Sequence, residues 1–465
     1  MYDVVIIGSG PGGYVGAIYA AQRGARVALV EKAKLGGCCL NRGCIPTKAL
    51  VRCAEVYRTA GEAARFGTRT ESVKLDLGAV MQHKERVVQR LVGGLNMLLR
   101  SNGVEVFMGE ARIVRPGSVR VSLQDGEEMQ LSCRHIIIAT GAQPAQPPIP
   151  QDALGLCDSS DDALSYPDVP ESLLIIGGGV LAVEFACIWE AFGCSIRMIK
   201  RSPLILPPID PEISRRLMTI LRRRGMIINT GIYIKDIVEA AGGKKVLADT
   251  KEGEEVSFQA QRVLVAMGMR PYFGGLDLDA LGVRYNQRGI EVDDRMQTSV
   301  PGIWAIGDVV GRYYLAPVAS AEAMVAVDNI LGEDRRMDYS VVPQCVFSHP
   351  EVASVGMTEE QARKAGFEVK VSRFPLGANG KAVAMGETEG LVKLVADAKG
   401  KLLGAHMMGA GASELIHEAA VAIKAGMTAE ELARIVHAHP TLSETVMEAA
   451  HGISGHMIHV AARRR

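Results

Sequence analysis

The sequence predicts an α/β protein with two doubly wound domains, because one strand–turn–helix–strand pattern occurs in it twice. The segment Ile6–Gly13 is an apolar strand end followed by G-x-G-x-x-G, and Ile175–Ala182 repeats it with alanine last. After each copy come a stretch suited to a helix, a helix-ending glycine (Gly24 or Gly193) and a second apolar strand. Corresponding glycines are 169 residues apart, so whole supersecondary units are repeated and not single turns.

Length and charge limit the class of protein further. A chain of 465 residues predicts two to four domains, and 48% hydrophobic with 22% charged residues is typical of a globular protein. Lys plus Arg equals Asp plus Glu at 52 each, so the net charge gives no reason to expect nucleic acid or anionic membrane as a partner. The first residues lead directly into the apolar run Val4–Ile7, which leaves no room for a signal peptide. We therefore expect a cytoplasmic protein.

The repeated glycines predict two dinucleotide sites of the Rossmann type. The first glycine of each motif permits a tight turn, the second lets a pyrophosphate approach the backbone, and the third position packs the helix on the strand. The N-terminus of the following helix then faces the anion. The residues expected to bind cofactor in this way are Gly8, Gly10 and Gly13 in the first copy and Gly177, Gly179 and Ala182 in the second.

The two copies differ in the residue that ends their second strand. Glu31 ends the first, where a carboxylate accepts a hydrogen bond from a ribose 2′-OH and repels a 2′-phosphate. Lys200 and Arg201 end the second, where cations attract a 2′-phosphate. The first site is therefore expected to hold FAD. The second is expected to hold NADP(H) or NAD(H), with a slight preference for NADP(H), since a basic turn beside an NAD site is the open alternative.

A pair of cysteines follows soon after Glu31. Cys39 and Cys44 can form a disulfide if the intervening chain turns, and Gly43 and the residues before Pro46 allow such a turn. A helix N-terminus at this point favours a reactive thiolate. No second pair of Cys or His residues has zinc-ligand spacing, so we expect no metal site.

The segment from Gly36 to Lys48 resembles the signature G-G-T-C-x-N-x-G-C-x-P-[ST]-K of the class I pyridine-nucleotide disulfide reductases, and the resemblance extends along nearly the whole chain. Cys38 stands where the signature has threonine. Cys38 is either a spectator or a thiol that permits disulfide exchange with Cys39 and makes the site sensitive to oxidation.

The resemblance implies roles for individual residues. Cys39 is the implied interchange thiol and Cys44 the thiol next to the flavin, with Lys48 near flavin N5 and Glu184 as the ion-pair partner of Lys48. His439, in the segment H-P-T-x-x-E, is the implied acid/base and Glu444 its orienting partner. Further implied cofactor contacts lie at strand ends and turns, namely at Thr140, Gly141, Gly268 and Asp308.

The resemblance also implies the domain organisation. An FAD-binding domain is expected over residues 1–148 and 273–340, with an NAD(P)-binding domain inserted at 149–272; both are doubly wound. An α+β dimerisation domain is expected over residues 341–465. Because the family histidine reaches the active site of the other subunit, a homodimer is implied.

The substrate is implied less directly. The segments around Asn379 and from His437 to Glu444 resemble dihydrolipoamide dehydrogenases most, which implies a lipoyl-bearing protein or a small disulfide as substrate. A 2-oxoacid dehydrogenase or glycine-cleavage-type complex is the implied host. Ala182, Lys200 and Arg201 resemble the glutathione-reductase branch instead. An NADPH-dependent reductase of another disulfide, or a mainly structural flavoprotein subunit, therefore stays an alternative.

Overall fold

The protein is described by a computed structural model that covers residues 1–461. Contacts within the chain divide it into two compact units. The first consists of Met1–Pro147, Asp158–Val169 and Val265–Met337, and the second of Pro148–Cys157, Pro170–Leu264 and the chain from Asp338 onward. The second unit thus includes most of the predicted NAD(P)-binding and dimerisation regions together. The domain boundaries drawn from the sequence stay a prediction.

The first third of the chain alternates strands with helices before a long antiparallel section. Its elements are β1 (Tyr2–Ile7), α1 (Pro11–Gln22), β2 (Val27–Glu31), α2 (Gly37–Arg42), α3 (Cys44–Gly61), α4 (Leu77–Ser101), β3 (Glu105–Arg115), β4 (Ser118–Leu123), β5 (Glu128–Ile138), β6 (Ala142–Pro144) and α5 (Ser160–Ala163).

The middle of the chain repeats the alternation. Its elements are β7 (Ser172–Ile176), α6 (Val180–Ala191), β8 (Ser195–Lys200), α7 (Pro211–Arg223), β9 (Ile227–Thr230), β10 (Ile232–Ala240), β11 (Gly243–Thr250), β12 (Glu255–Ala260), β13 (Arg262–Val265), β14 (Met269–Pro271), α8 (Leu278–Leu281), β15 (Tyr285–Asn286), β16 (Gly289–Ile290), β17 (Ile303–Ala305) and α9 (Ala316–Ile330).

The last part of the chain alternates antiparallel strands with short helices and then continues in helices. Its elements are β18 (Gln344–Val346), β19 (Val352–Gly356), α10 (Glu359–Lys364), β20 (Val369–Pro375), α11 (Gly380–Met385), β21 (Leu391–Asp397), β22 (Leu402–Met408), α12 (Ala412–Ala425), α13 (Ala429–Ala433) and α14 (Glu444–Ile453).

The first unit is built on a parallel sheet in which β1 lies between β2 and β5, while β3 pairs with β2 and β17 pairs with β5. The antiparallel pairings β3–β4 and β4–β5 extend this sheet. Val5 and Ile7 of β1 face one apolar cluster, and Val4 and Ile6 face another. Because this strand is buried on both faces, its sequence is an unbroken apolar run.

The described residues of the second unit form three sheets. Strands β7, β8 and β9 are parallel neighbours, with β13 beside β7. Strands β10, β11 and β12 form an antiparallel sheet, and β18, β19, β22, β21 and β20 form another. Helices α12 and α14 pack on the last sheet through buried apolar residues such as Ile416 and Val446. The predicted α/β class, with two doubly wound regions and an α+β C-terminal region, is confirmed.

Candidate active site

The turn between β1 and α1 needs its glycines for three different reasons. Gly8 has φ +100°, and a Cβ there would lie 2.4 Å from the carbonyl oxygen of Ala139. A Cβ at Gly13 would lie 1.8 Å from the carbonyl oxygen of Gly8, so α1 could not approach the strand. No atom lies within 4 Å of a Cβ built at Gly10. The open space is therefore at the N-terminus of α1, where an anionic pyrophosphate is favoured.

The carboxylate that ends β2 is held by the same turn. Glu31 is buried; its Oε2 accepts hydrogen bonds from Ser9 N at 2.9 Å and Ser9 Oγ at 2.7 Å, and its Oε1 accepts one from Ala33 N at 2.8 Å. A carboxylate oxygen has a second lone pair for a ribose hydroxyl. Its negative charge would repel a phosphate. Together with the space over Gly10, this geometry fits the adenosine end of FAD.

A second, half-buried carboxylate, that of Asp308, follows β17. Burial and the nearby charge of Glu322 raise the pKa of Asp308 to about 6. Glu322 is itself buried and accepts a hydrogen bond from Gly307 N at 2.6 Å. Two carboxylates packed this closely are costly without donors, and ribityl hydroxyls are donors of the right kind for Asp308. The sequence pattern did not point to Glu322, because it lies on α9, away from every motif.

Two further predicted cofactor positions lie at the connection with β14. The Oγ1 of Thr140 donates to the carbonyl oxygen of Tyr272 at 2.7 Å, and Tyr272 N donates to the carbonyl oxygen of Gly141 at 3.0 Å. Gly141 and Gly268 adopt φ values of +72° and +110°. The side chain of Thr140 is therefore engaged within the protein, and the two glycines shape turns.

The predicted thiol pair lies where two helices meet. Cys39 belongs to α2, and Cys44 is the first residue of α3, so Cys44 lies at a helix N-terminus as the sequence predicts. A hydrogen bond with Cys44 and burial raise the pKa of the Cys39 thiol well above its ordinary value. A helix N-terminus favours a thiolate, so Cys44 is the better site for the negative charge of the pair.

Two side chains near the thiols influence them electrostatically. Lys48, one turn after Cys44 on α3, has a charge that lowers the pKa of Cys39 and so opposes the larger raising effects. Tyr14, on α1, has its pKa raised by burial and by the neighbouring Cys39 and Cys44. Tyr14 is a candidate site residue that the sequence pattern missed; its position directly after the third motif glycine was the available signal.

The second glycine turn repeats the first, with one difference. Gly177 has φ +140°, a Cβ built at Gly179 meets no atom within 4 Å, and Ala182 is fully buried. The side chain of Lys200, however, is folded over Gly178 and donates to the carbonyl oxygen of Leu204. Burial lowers the pKa of Lys200 to about 8. Of the two predicted cations, only Arg201 is exposed.

Glu184 lies on α6 in the second unit and is fully buried, where it accepts a hydrogen bond from Phe347 N at 3.0 Å. Lys48 belongs to the first unit. The predicted pairing of Lys48 with Glu184 stays a prediction.

The predicted pair of His439 and Glu444 is present near the N-terminus of α14. His439 Nδ1 lies 2.9 Å from Glu444 Oε1, and Glu444 Oε2 accepts a hydrogen bond from Thr441 N at 2.9 Å. The hydrogen bond from Thr441 and the interaction with His439 lower the pKa of Glu444. The His439 side chain is 77% exposed, whereas that of His437 is 6% exposed and lies 2.7 Å from Glu418 Oε1. Of these two histidines, His439 is the one whose ring is exposed to an incoming thiol.

Two family descriptions together match most of the chain. Residues 2–323 match the pyridine nucleotide-disulphide oxidoreductase family, and residues 342–450 match that family's dimerisation domain. The dihydrolipoyl dehydrogenase of Bacillus subtilis is 40% identical over 470 aligned residues, which cover 98% of this chain and 99% of that protein. The chain belongs to the pyridine nucleotide-disulphide oxidoreductase family.

Other relatives also match this chain over nearly its full length. The mitochondrial dihydrolipoyl dehydrogenase of Pisum sativum is 38% identical, with 98% of this chain and 92% of that protein covered. Among solved structures, a Cu(II) complex of the HOCl-induced flavoprotein disulfide reductase RclA from Escherichia coli superposes with a TM-score of 0.86 and 31% identity, over 97% of this chain and 98% of that chain.

This pyridine nucleotide-disulphide oxidoreductase is thus an enzyme that uses FAD and a pyridine nucleotide, as the sequence predicts. It carries the dimerisation domain of the family. Within residues 1–461, no helix is long and apolar enough to cross a membrane. No three or more His, Cys, Asp or Glu side chains of the same residues are grouped so that they could hold a metal ion.

Proposed function

We propose that this enzyme is a dihydrolipoyl dehydrogenase, which oxidises a protein-bound or free dihydrolipoyl group and passes the electrons to a pyridine nucleotide. The observation that carries the proposal is the geometry of the thiol pair, in which Cys39 is hydrogen-bonded to Cys44 and Cys44 begins helix α3. Such a pair suits a disulfide that opens at Cys39 and retains its charge at Cys44. Full-length similarity to several dihydrolipoyl dehydrogenases supports this choice of substrate.

The proposed chemistry begins with a proton. His439 Nε2 takes a proton from one thiol of the substrate, while Glu444 fixes the ring and stabilises the imidazolium. The substrate thiolate attacks Cys39 Sγ of the Cys39–Cys44 disulfide, and Cys44 leaves as a thiolate. The second substrate thiol then releases Cys39, which takes up a proton. FAD, when bound, supplies the two-electron chemistry that returns the thiol pair to the disulfide.

We propose that Gly8, Gly10, Gly13, Glu31, Thr140, Gly141 and Asp308 hold the FAD, with Lys48 near its reactive ring. The space over Gly10, the hydrogen-bonded carboxylate of Glu31 and the half-buried carboxylate of Asp308 support this assignment. We propose Gly177, Gly179, Ala182 and Gly268 for the pyridine nucleotide. The equivalent open space over Gly179 supports that site.

Coenzyme preference is assigned to Arg201. Because Lys200 is buried and donates to Leu204, the slight preference for NADP(H) depends on the exposed guanidinium of Arg201 alone. An Arg201→Gln variant should raise the KM for NADP(H) about tenfold and leave the KM for NAD(H) within twofold. If wild-type enzyme uses NAD(H) at least tenfold better, which is about 1.4 kcal/mol, the proposed preference is wrong.

We also propose a cytoplasmic homodimer in which His439 serves the thiol pair of the other subunit. A lipoyl-bearing protein of a 2-oxoacid dehydrogenase or glycine-cleavage-type complex is the proposed physiological partner. The match to the family's dimerisation domain supports the dimer, and the names of the relatives support the lipoyl substrate.

A matrix of substrates and coenzymes tests the function. Purified holoenzyme is assayed for reduction of lipoamide, glutathione disulfide and coenzyme A disulfide, each with NADH and with NADPH. We expect kcat/KM for lipoamide to exceed the other two by at least a hundredfold. Faster reduction of glutathione disulfide with NADPH would favour the glutathione-reductase-like alternative. A Cys44→Ser variant that loses turnover but restores growth to a deletion strain would favour a structural role.

A further inference from the structure

The redox centre contains a third thiol beside the predicted pair. Cys38 precedes Cys39 on α2, and both are half-buried. A Cβ built at Gly43 would lie 3.3 Å from Cys38 Sγ and 3.1 Å from the Cys38 carbonyl oxygen. The thiol of Cys38 thus packs against the residue directly before Cys44, in a space that exists because residue 43 has no side chain.

Cys44 has Cys38 as a neighbour as well as Cys39. Cys39 is hydrogen-bonded to Cys44, and the charge of a Cys44 thiolate also acts on Cys38. Residues 38 and 39 are consecutive in a helix, so their side chains point about 100° apart.

We propose that Cys38 is an alternative disulfide partner of Cys44. In the exchange, the Cys38 thiolate attacks Cys44 Sγ of the Cys39–Cys44 disulfide; the Cys38–Cys44 bond forms, and Cys39 leaves as a thiolate. The proton lost by Cys38 is taken up by Cys39. No electrons are gained or lost, so no oxidant is needed. The product is an oxidised isomer with a free interchange thiol, outside the catalytic cycle until the exchange reverses.

The surroundings of Cys38 make this exchange slow at neutral pH. Burial raises the pKa of Cys38, the negative charges of Asp161 and Asp308 add to that, and Arg42 opposes them. Arg42 is partly engaged by Asp161, with Nη1 and Oδ2 3.4 Å apart. Because only the thiolate attacks, the fraction of reactive Cys38 should rise about tenfold per pH unit below its pKa.

Peptide mapping of the oxidised holoenzyme tests the proposal, which rests on the proposed roles of Cys39 and Cys44. Wild-type enzyme is oxidised with lipoamide, incubated at pH 7 or pH 9, quenched with acid, alkylated and digested without reductant. We expect the Cys39–Cys44 bridge at pH 7, and formation of the Cys38–Cys44 bridge about a hundredfold faster at pH 9. Absence of the second bridge at both pH values would overturn this inference alone, whereas absence of the first bridge would overturn the proposed function.

A pair of variants provides the matched control. Cys39→Ser holoenzyme treated with diamide should lose two alkylatable thiols per chain and give a linked Cys38–Cys44 peptide. The double variant Cys38→Thr with Cys39→Ser should lose none at these positions. The flavin absorbance of both variants reports that they are folded. Retention of free Cys38 and Cys44 in the folded single variant would contradict the proposal.

Discussion

At the scale of single residues, the candidate site combines groups whose burial costs free energy with groups whose exposure is needed. Asp308 is a half-buried carboxylate whose pKa is raised by burial, and Lys200 is a buried ammonium whose pKa is lowered by burial. His439, in contrast, is 77% exposed and held only through Nδ1 by Glu444. Burial suits a group that accepts hydrogen bonds from a bound cofactor, whereas exposure suits a group that must exchange protons with a substrate.

Asp308→Asn should stabilise the apoprotein at neutral pH while weakening FAD binding. The folded-state pKa of about 6 lies above the ordinary 3.8, so ionisation at pH 7.5 costs the folded state ~3 kcal/mol, a cost that is absent below pH 3.8 and fully present above pH 6. Thermal unfolding of apoprotein checks this. The gain in midpoint should be present at pH 7.5 and vanish near pH 4; an equal gain at both pH values would contradict it.

His439→Gln should reduce kcat/KM for dihydrolipoamide oxidation by ~10²–10⁴, the range for loss of a general base. His437→Gln is the matched control, because His437 is buried against Glu418 and offers no free nitrogen to a substrate. The His437→Gln variant should have a lower unfolding midpoint, but its kcat/KM should fall far less than that of His439→Gln. Stopped-flow reduction of the enzyme by dihydrolipoamide measures the catalytic effect of each substitution. Equal losses of activity in the two variants would contradict the proposed role of His439.

At the scale of elements, the architecture depends on how closely backbone segments approach each other. α1 lies so near β1 that residue 13 has no room for a side chain, although residue 10 at the same turn has ample room. In the second unit, the N-terminus of α7 is joined to β21 and α10 by a buried ion cluster. Its centre is the Lys393 side chain, 3% exposed, with Nζ 2.9 Å from Asp210 Oδ2 and 3.3 Å from both Glu212 Oε2 and Glu359 Oε2.

Gly13→Ala and Gly10→Ala should differ in their effects on apoprotein stability and FAD affinity. At Gly13 the new methyl group would overlap the Gly8 carbonyl oxygen, so both the unfolding midpoint of the apoprotein and FAD affinity should fall. At Gly10 the methyl group meets no protein atom, so the apoprotein should keep its midpoint while FAD affinity falls. Thermal unfolding and flavin titration separate the two. A stable Gly13→Ala apoprotein would contradict the close packing of α1 on β1.

Lys393→Met should destabilise the protein by ~3–5 kcal/mol, because it leaves Asp210 buried without its cation. Arg434→Ala is the control, since the Arg434–Glu430 pair is solvent-exposed and such pairs contribute about 0–1 kcal/mol. Denaturant unfolding of the two variants provides the comparison. A loss below 1 kcal/mol for Lys393→Met would mean that Asp210, which also caps α7, is satisfied by that role alone.

At the scale of the whole molecule, function requires more than one chain if His439 serves the partner's thiols. The described part of the C-terminal region has exposed apolar side chains on α12 and in the segment just before His439. Val436 is 95% exposed, and Ile435 and Val421 are 48% and 68% exposed. Apolar side chains this exposed in a dimerisation domain fit an interface between subunits.

Val436→Asp should therefore weaken the dimer and activity together. Light scattering should give twice the chain mass of 49.8 kDa for wild type and a concentration-dependent lower mass for the variant. Activity per chain should fall at the same dilution at which the dimer dissociates. Tyr233→Asp, at another exposed apolar position in β10, is the control and should do neither. An active Val436→Asp monomer would contradict the proposed sharing of His439.

The sequence by itself determined the two nucleotide turns, the thiol pair, the His439–Glu444 pair and the family, because each depends on residues close together in the chain. Local spacing predicts the glycine turns and a helix start at the cysteine pair, and the resemblance to the family segment implies the pairing of His439 with Glu444. Only the tertiary structure decided that Lys200 is turned inward while Arg201 is exposed, that Tyr14 lies near the thiols, and that Asp308 lies near the buried Glu322. Burial and charge at these positions come from distant segments of the chain, so no local pattern contains them.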